Sequence, residues 1–550
     1  MDQRNWLQMP GGGFSWVSVG KGGEVWAVTQ ANSIWRWNGI CWDLIDGGLC
    51  LISVGDKDNI WGLNSNGQIW RRANGTWVLV DGGLTDISVG DNSCIWGVNA
   101  GYQTWFWDGN VGQFKPGDAN LALLSVGDWG NIWGLSGGGQ VWHRDTQGYW
   151  HMVDGTLSCI AVGTNGEVWG TSADNTIFRR DNATGNWIVV PGGLRQIDVY
   201  DSDNIWGVSS AGQVYCWGEL IDYSNWMKKV SAAHPDKTLL NFVLPGTHDS
   251  GAYMFTSYTV EPNEPSWIKI VQQTLDSHYV LGPLGPFIAR KIFNDVVSGL
   301  GQAQSLSIRQ QLDFGVRFLD LRVVSTNGGL YVAHGFVGPD IGTVLNDVAG
   351  FLNATTGEIV ILQFSHMDSL SASDHSTLQG LITSTLGSHL LPNVKSATLG
   401  KKVSELTNGS SRAIVIYDNA ARSPSFSAPR DVFGYFADPF GVDGTTSYGR
   451  LKAGLDGAVT AYNDSSMLMN VGWTLTPDTG MSVTAVMDKL SPLPTPGAVT
   501  LHQLSKAANV HLPEFVAPHW QANHHLPNVI TVDFVEETDI ARIAYFLSSR

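Results

Sequence analysis

Up to residue 219, apolar residues come in short alternating runs separated by Gly, Asn and Asp. This is the pattern of brief strands joined by tight turns. The pattern repeats. Trp26, Trp61, Trp96, Trp133, Trp169 and Trp206 stand 35 to 37 residues apart. A second aromatic follows each by nine residues: Trp35, Trp70, Trp105, Trp142, Phe178 and Tyr215. A third series runs Trp6, Trp42, Trp77, Phe114, Trp150 and Trp187. The best-formed unit, residues 77–90, reads Trp-Val-Leu-Val-Asp-Gly-Gly-Leu-Thr-Asp-Ile-Ser-Val-Gly. Six copies at this period predict an all-β, six-bladed β-propeller over residues 1–219. The sixth copy stops near Trp217 without its last strand, and the chain begins with such a piece, from Asn5-Trp6 to Gly13. That piece is expected to complete the last blade and close the ring, which removes unpaired edges.

From residue 220 the pattern changes. The repeat ends, and residues 220–550 read as an incomplete or distorted α/β TIM barrel on the motifs at the ends of three apolar runs. One run, residues 239–244, leads into Pro245-Gly246-Thr247-His248-Asp249. A second ends in Asp320-Leu321-Arg322, and a third, residues 330–332, leads to His334. Three neighbouring barrel strands would thus deliver two His, two Asp and an Arg to their C-terminal ends, where such barrels place their sites. Two histidines flanking an arginine suit chemistry at a phosphodiester. One takes a proton from the nucleophile, one gives a proton to the leaving group, and the arginine holds the phosphate charge. Further polar groups at strand ends, His366, Asp418 and Trp473, join Asp320 as candidate substrate contacts.

Residues from about 223 onward resemble the X domain of phosphatidylinositol-specific phospholipase C, especially its bacterial and small atypical eukaryotic forms. The segments that carry the resemblance are Asn225-Trp226-Met227, residues 244–251 (LPGTHDSG), residues 306–312, residues 315–322, Val332-Ala333-His334-Gly335 and Asp533-Phe534-Val535. The resemblance implies roles. His248 would be the general base at the inositol 2-hydroxyl, with Asp533 orienting it. His334 would be the general acid with Asp249 as its partner, and Arg322 would bind the phosphate. It also implies a metal-independent site. The large animal enzymes hold Ca²⁺ with several carboxylates, whereas here a fixed cation, Arg322, stands at the centre. Ca²⁺ is the disfavoured alternative, and no cofactor is expected.

The repeats resemble the tectonin family, on the Ser-Val-Gly, Ile-Trp-Gly and Gly-Gly-Leu elements and the period. That family's lectins bind glycans or bacterial lipopolysaccharide, which implies a binding module. Twenty of the 24 Trp precede residue 220, and most are expected in blade packing. Trp37, Trp107 and Trp129 fall outside the repeat positions and are the glycan-contact candidates.

Composition narrows the partners. The net charge is −17, and neither part contains a basic run. Nucleic acid is therefore excluded, as is simple electrostatic adhesion to anionic lipid. An acidic enzyme at a membrane needs another tether, and the propeller supplies one. The five Cys, at 41, 50, 94, 159 and 216, share no metal-ligand spacing and read as buried thiols. Residues 1–6 carry no signal-peptide pattern and no apolar run reaches spanning length. The expectation is a soluble chain, cytoplasmic or non-classically secreted, acting peripherally at a membrane.

Between His248 and Arg322 lies an insertion, residues 251–305. Ile288, Ile292 and Val296 form an apolar helical stripe there, with Phe293 and Val297 beside it. It reads either as a helix packed on the barrel or as a lid or membrane-inserting element. The combined expectation is a lectin–lipase suited to defence or toxin action. It would cleave phosphatidylinositol or its glycosylated anchor form to diacylglycerol and a cyclic inositol phosphate. The alternatives are a lectin with an inactive barrel and a phosphodiesterase for another phospholipid.

Overall fold

The computed structural model describes residues 4–550 except 92–93, 258, 261–265, 279–284, 393, 420–421, 429–434, 438–445, 463–465, 477–478, 491–498 and 523–524. Contacts divide the chain into two units, Met1–Leu220 and Ile221–Arg550.

The first unit is a propeller of six four-stranded antiparallel sheets. Five blades take four consecutive strands each. The sixth combines Gln196–Asp201, Asn204–Val208 and Val214–Glu219 with Arg4–Gln8, which pairs antiparallel on its outer edge. The chain start therefore closes the ring, and Trp6 packs 5.1 Å from Trp217 and 6.1 Å from Trp169.

The repeated motifs are joints between and within blades. Ser18, Ser53, Ser88 and Ser125 accept the backbone N–H of Val54, Val89, Val126 and Val162 in the next blade at 2.9–3.0 Å. In the last blade Asp198 replaces serine and accepts from Val19 N–H of the first blade at 2.8 Å. Gln196 adds two bonds to the Val17 backbone, both 3.0 Å. Arg195 adds donors to the Phe14 and Ser15 carbonyls, so side chains of the last blade bind the backbone of the first at several points. The glycine of Ile-Trp-Gly is explained by close approach: a Cβ at Gly97 would stand 2.4 Å from the Leu84 methyl of the preceding Gly-Gly-Leu.

Trp37 and Trp107 belong to the repeat, contrary to expectation. Each follows a patterned aromatic by two residues, the place held by Arg72, Arg144 and Arg180 in other blades. Arg72 lies 5.4 Å over Trp26 and 5.3 Å over Trp77. Trp37 fills the same role, 5.3 Å from Trp42 and 6.2 Å from Trp206. Trp107 sits 5.1 Å from Trp61 and 5.3 Å from Phe114. Trp129 differs: it is 44% exposed on a turn beside Trp96 and Phe106.

The second unit is an α/β barrel. Its parallel strands are β1 (Leu244–Thr247), β2 (Phe318–Thr326), β3 (Ile359–Ser365), β4 (Arg412–Tyr417), β5 (Tyr435–Ala437), β6 (Met469–Trp473) and β7 (Val529–Val532). They pair in the order β4-β3-β2-β1-β7-β6-β5. Among the described residues β4 and β5 do not pair, and away from β3 the strand β4 is bordered only by isolated parallel bridges, Leu390 to Ala413 and Ile416 to Ala428. The barrel is distorted there. Apolar side chains of β1, β2, β3, β4 and β7 form a core with Trp226 and Phe242. Among the described residues no helix is long and apolar enough to cross a membrane.

The strand carrying His334 is not a barrel strand. Gly329–His334 pairs antiparallel with the end of β2, and Phe336–Asp340 pairs antiparallel with it in turn. The cause is the two-residue turn Asn327-Gly328, both at positive φ, which reverses the chain with Thr326 opposite Gly329. The hairpin folds back so that His334 returns to the level of Arg322. The sequence signal, Asn-Gly between apolar runs, was present.

Two carboxylates sit at the propeller joints, Asp86 buried and Asp198 half-buried. Burial raises Asp86 to about 7, although it accepts the Leu124 N–H, and raises Asp198 to about 6. A carboxyl that is neutral in the fold and ionised in the unfolded chain stabilises fully below about pH 4. That stabilisation is lost as pH rises through the folded values. The propeller's melting temperature is therefore expected to fall between about pH 4 and pH 7. In Asp86→Asn with Asp198→Asn the slope flattens; calorimetry across that range checks it, and an unchanged slope refutes the assignment.

Candidate active site

The end of β1 turns sharply. Asp249 follows His248 with φ +43, an uncommon conformation for a non-glycine residue and one concentrated at functional sites. The turn is held from below. Ser250 Oγ accepts the Asp320 N–H at 2.9 Å, and Gln311 bonds both Thr247 Oγ1 and the Ser250 carbonyl. His248 and Asp249 are thereby presented together at the C-terminal end of the barrel.

Asp249 is 1% exposed and gathers the cations. Its Oδ1 lies 2.6 Å from Arg322 Nε, and its Oδ2 lies 3.3 Å from both His248 Nε2 and His334 Nε2. Burial pushes the carboxyl up, but Arg322, His248, His334 and His366 together hold it down to about 2. His334 Nδ1 donates to the Gly301 carbonyl at 2.7 Å. That bond turns Nε2 of the ring toward Asp249.

His248 is oriented from the other side. Its Nδ1 donates to Asp533 Oδ1 at 2.9 Å. Asp533 is itself fixed by Ser505 Oγ at 3.4 Å and by Asn509, which donates to its carbonyl at 2.9 Å. Burial opposes charge on His248, but the carboxylates of Asp249 and Asp533 outweigh it and lift the ring to about 9, while Arg322 pulls it down. Arg322 also places an N–H 2.8 Å from Nε2, which requires a lone pair there. The field and this contact oppose one another, and the hydrogen bond identifies the neutral Nδ1–H tautomer. A phosphodiester that draws Arg322 away would uncover a base whose carboxylate partners make it strongly basic. The His248 and His334 rings stand 6.3 Å apart, on either side of Asp249. The cavity between them is about 40 Å³ and is lined by Leu300, Leu475 and Leu501 beside His248, His334 and Asp533.

The other expected residues divide. Asp320 joins the cluster, with Oδ2 3.6 Å from Arg322 Nε and Oδ1 accepting from Ser365 Oγ at 3.2 Å. His366 follows at φ +54, its Nδ1 3.1 Å from Ser365 Oγ. Asp418 stands at the end of β4, two strands from Arg322, where its N–H donates to the Phe364 carbonyl. Trp473 does not reach the site. It is 1% exposed, stacks 5.4 Å from Phe515, and donates Nε1–H to the Ala508 carbonyl, so it is a core residue.

His248, Asp249 and Asp320 bring ligand atoms within 4.8 Å of one another, a grouping a cation could use. Arg322 occupies that place instead, between the two carboxylates. Two carboxylates around a guanidinium do not fit Ca²⁺, which takes six to eight oxygen ligands.

The insertion resolves mostly as packing. In the helix Gly285–Gly301, Ile292, Val296, Val297 and Leu300 are buried against Ile268, Val271 and Val486, with Phe293 beside Phe336. Its first turn differs, with Phe287 77% and Ile288 42% exposed. Residues 279–284 and the side chains of Trp267, His278 and Pro286 lie outside the described residues.

A distorted parallel barrel with an acid–base histidine pair and an arginine at its C-terminal end is a phosphodiesterase-like arrangement. Comparison with known proteins gives the family. Residues 294–469 match the PI-PLC X family, and residues 1–148 and 120–232 match the Tectonin domain. The chain joins an N-terminal tectonin domain to a C-terminal PI-PLC X domain. It is 27% identical to mouse PI-PLC X domain-containing protein 1, over 36% of this chain and 54% of that protein. It is 32% identical to the variant-surface-glycoprotein phospholipase C of Trypanosoma brucei brucei, over 26% of this chain and 38% of that protein. The chain thus spans about half or less of these relatives' length. Among solved structures, the phosphatidylinositol-specific phospholipase C of Listeria monocytogenes aligns over 60% of this chain and 99% of its own, with TM-score 0.41 and 16% identity.

Phe293→Asp is expected to destabilise the barrel by about 2–4 kcal/mol, as a charge placed in packed apolar surroundings does. Phe287→Asp, at an exposed site, should change stability by less than about 0.5 kcal/mol. Denaturant melts of the two variants check this, and equal effects refute the burial assignment.

Proposed function

We propose that the barrel cleaves phosphatidylinositol or its glycosylated anchor form without a metal ion, and that the propeller docks it on glycan-bearing surfaces, including lipopolysaccharide. The observation that carries the reading is Arg322, which stands between Asp249 and His248 with His334 across the same carboxylate. In the proposed reaction the phosphate takes the guanidinium. His248 Nε2 removes the inositol 2-hydroxyl proton, and that oxygen forms a bond to phosphorus. The bond from phosphorus to the glycerol oxygen breaks, and His334 gives its Nε2 proton to the departing diacylglycerol alkoxide. The remaining product is a cyclic inositol phosphate, and water is not consumed. Asp320, His366 and Asp418 are assigned to the inositol hydroxyls.

Two surfaces support docking. A cleft of about 1450 Å³ in the propeller is lined by Arg71, Arg72, Asp56, Asp58, Asn74 and Trp107, polar and charged groups that suit the hydroxyls of a sugar. Trp129 offers a second exposed ring. Phe287 and Ile288 start the helix whose far end, Gly301, holds His334. At 1.5 Å per residue they stand roughly 20 Å along its axis from the catalytic pair, and they are assigned to the lipid surface.

The test is product analysis on phosphatidylinositol vesicles in chelator. Diacylglycerol and cyclic inositol phosphate from the wild type, with His248→Ala slower by at least about 100-fold, are expected. Phe287→Asp should sediment less with the same vesicles. Activity that disappears in chelator and returns with Ca²⁺ sinks the metal-free reading, and no turnover under either condition sinks the phosphatidylinositol reading.

A further inference from the structure

One short segment touches every part of the acid–base pair. Residues 301–304 follow the helix Gly285–Gly301 directly. The Gly301 carbonyl accepts from His334 Nδ1. Ala303 N–H donates to the Ala252 carbonyl at 3.1 Å, beyond the His248 turn, and its carbonyl accepts the Phe534 N–H at 2.8 Å, just past Asp533. Gln304 is fully buried. Its Nε2 donates to the His248 carbonyl and to the Val532 carbonyl, each at 2.9 Å, and its Oε1 accepts the Val535 N–H at 3.3 Å.

These partners lie where the β1–β7 ladder ends. His248 N–H to the Val532 carbonyl, 3.1 Å, is the last backbone bond between the two strands. Beyond it the chains diverge, and the base and its orienting carboxylate leave on different strands. The Gln304 amide spans that divergence. Loss of its two donors takes the Gln304 partner from the His248 carbonyl and leaves the Val532 carbonyl only the His248 N–H, and a carbonyl that loses its donor moves to find a new one. Any such movement separates His248 from Asp533.

We propose that Gln304 is the positioning residue of the catalytic pair: it clamps the backbone of His248 to that of Asp533, while the adjoining Gly301 carbonyl fixes the ring of His334. This rests on the acid–base reading of those histidines. Gln304 does not touch substrate. Its contribution is geometric, and displacements of about 1 Å in such constellations cost roughly 100-fold in rate.

The test is a double-mutant cycle on the full chain. Gln304→Met keeps the volume and removes both donors; it should lower kcat on phosphatidylinositol by roughly 100-fold with KM within about 3-fold. In an Asp533→Asn background, where the clamped partner is already impaired, Gln304→Met should lower kcat by less than about 3-fold. Equal losses in both backgrounds, or full kcat in the single variant, overturn the proposal. Asn528→Ala is the control: it removes a buried amide that bonds Leu240 and Met469 at the other end of the barrel, and should lower stability with kcat retained. Where Gln304→Met does not fold, Gln304→Glu replaces it, keeping the acceptor for Val535 and removing the donors. A wild type that does not cleave phosphatidylinositol defeats the reaction reading alone. The positioning role is then read from the low-field proton signal of His248 Nδ1–H. Its loss in the Gln304 variant supports the clamp, and its persistence unchanged refutes it.

Discussion

One buried carboxylate organises the catalytic end of the barrel. Asp249 touches Arg322, His248 and His334 together. Three cationic or potentially cationic groups this close would repel one another, and a carboxylate buried without them would carry a desolvation cost of several kcal/mol. Each makes the other tolerable. The arrangement also assigns roles. The same carboxylate that faces His334 also holds Arg322, which lies against His248. In the proposed reaction a substrate phosphate is the rival for that guanidinium, so that binding would uncover His248. The positive φ at Asp249 shows that the chain accepts local strain to hold this geometry.

A second constraint is closure. Each unit must join the two ends of its chain, and at each junction side chains bridge backbone. In the propeller, the outer strand from the chain start and the Asp198 and Gln196 bonds join the last blade to the first. In the barrel, β7 pairs with β1, and where that ladder ends the Gln304 amide continues the connection. The His248–Asp533 pair sits immediately past this junction, where the backbone is no longer tied by regular pairing.

Much of this was legible in the sequence, because it rests on repetition or on chemistry that few residue types perform. Six spaced Trp gave six blades, and the missing last strand gave the closure. His248, Asp249, Arg322, His334 and Asp533 do converge. What was misread depended on context. Trp37 and Trp107 looked irregular because Arg takes their place in other blades, and the equivalence of a cation and an indole over a Trp face emerges only from packing. His334 was placed on a barrel strand because the Asn327-Gly328 reversal was overlooked. Trp473 was placed at the rim, whereas its strand directs it into the core against Phe515. Gln304 gave no signal, since its partners are backbone atoms more than fifty residues away in one case and more than two hundred in the other.

The most direct test of this account is the turnover of Asp249→Asn on phosphatidylinositol vesicles, together with its affinity for inositol 1-phosphate. The substitution keeps the shape and removes the charge around which the cations are arranged. The account predicts that kcat falls by roughly 100-fold or more while the phosphate still binds, since Arg322 loses its competitor. Near-wild-type kcat in this variant would contradict it.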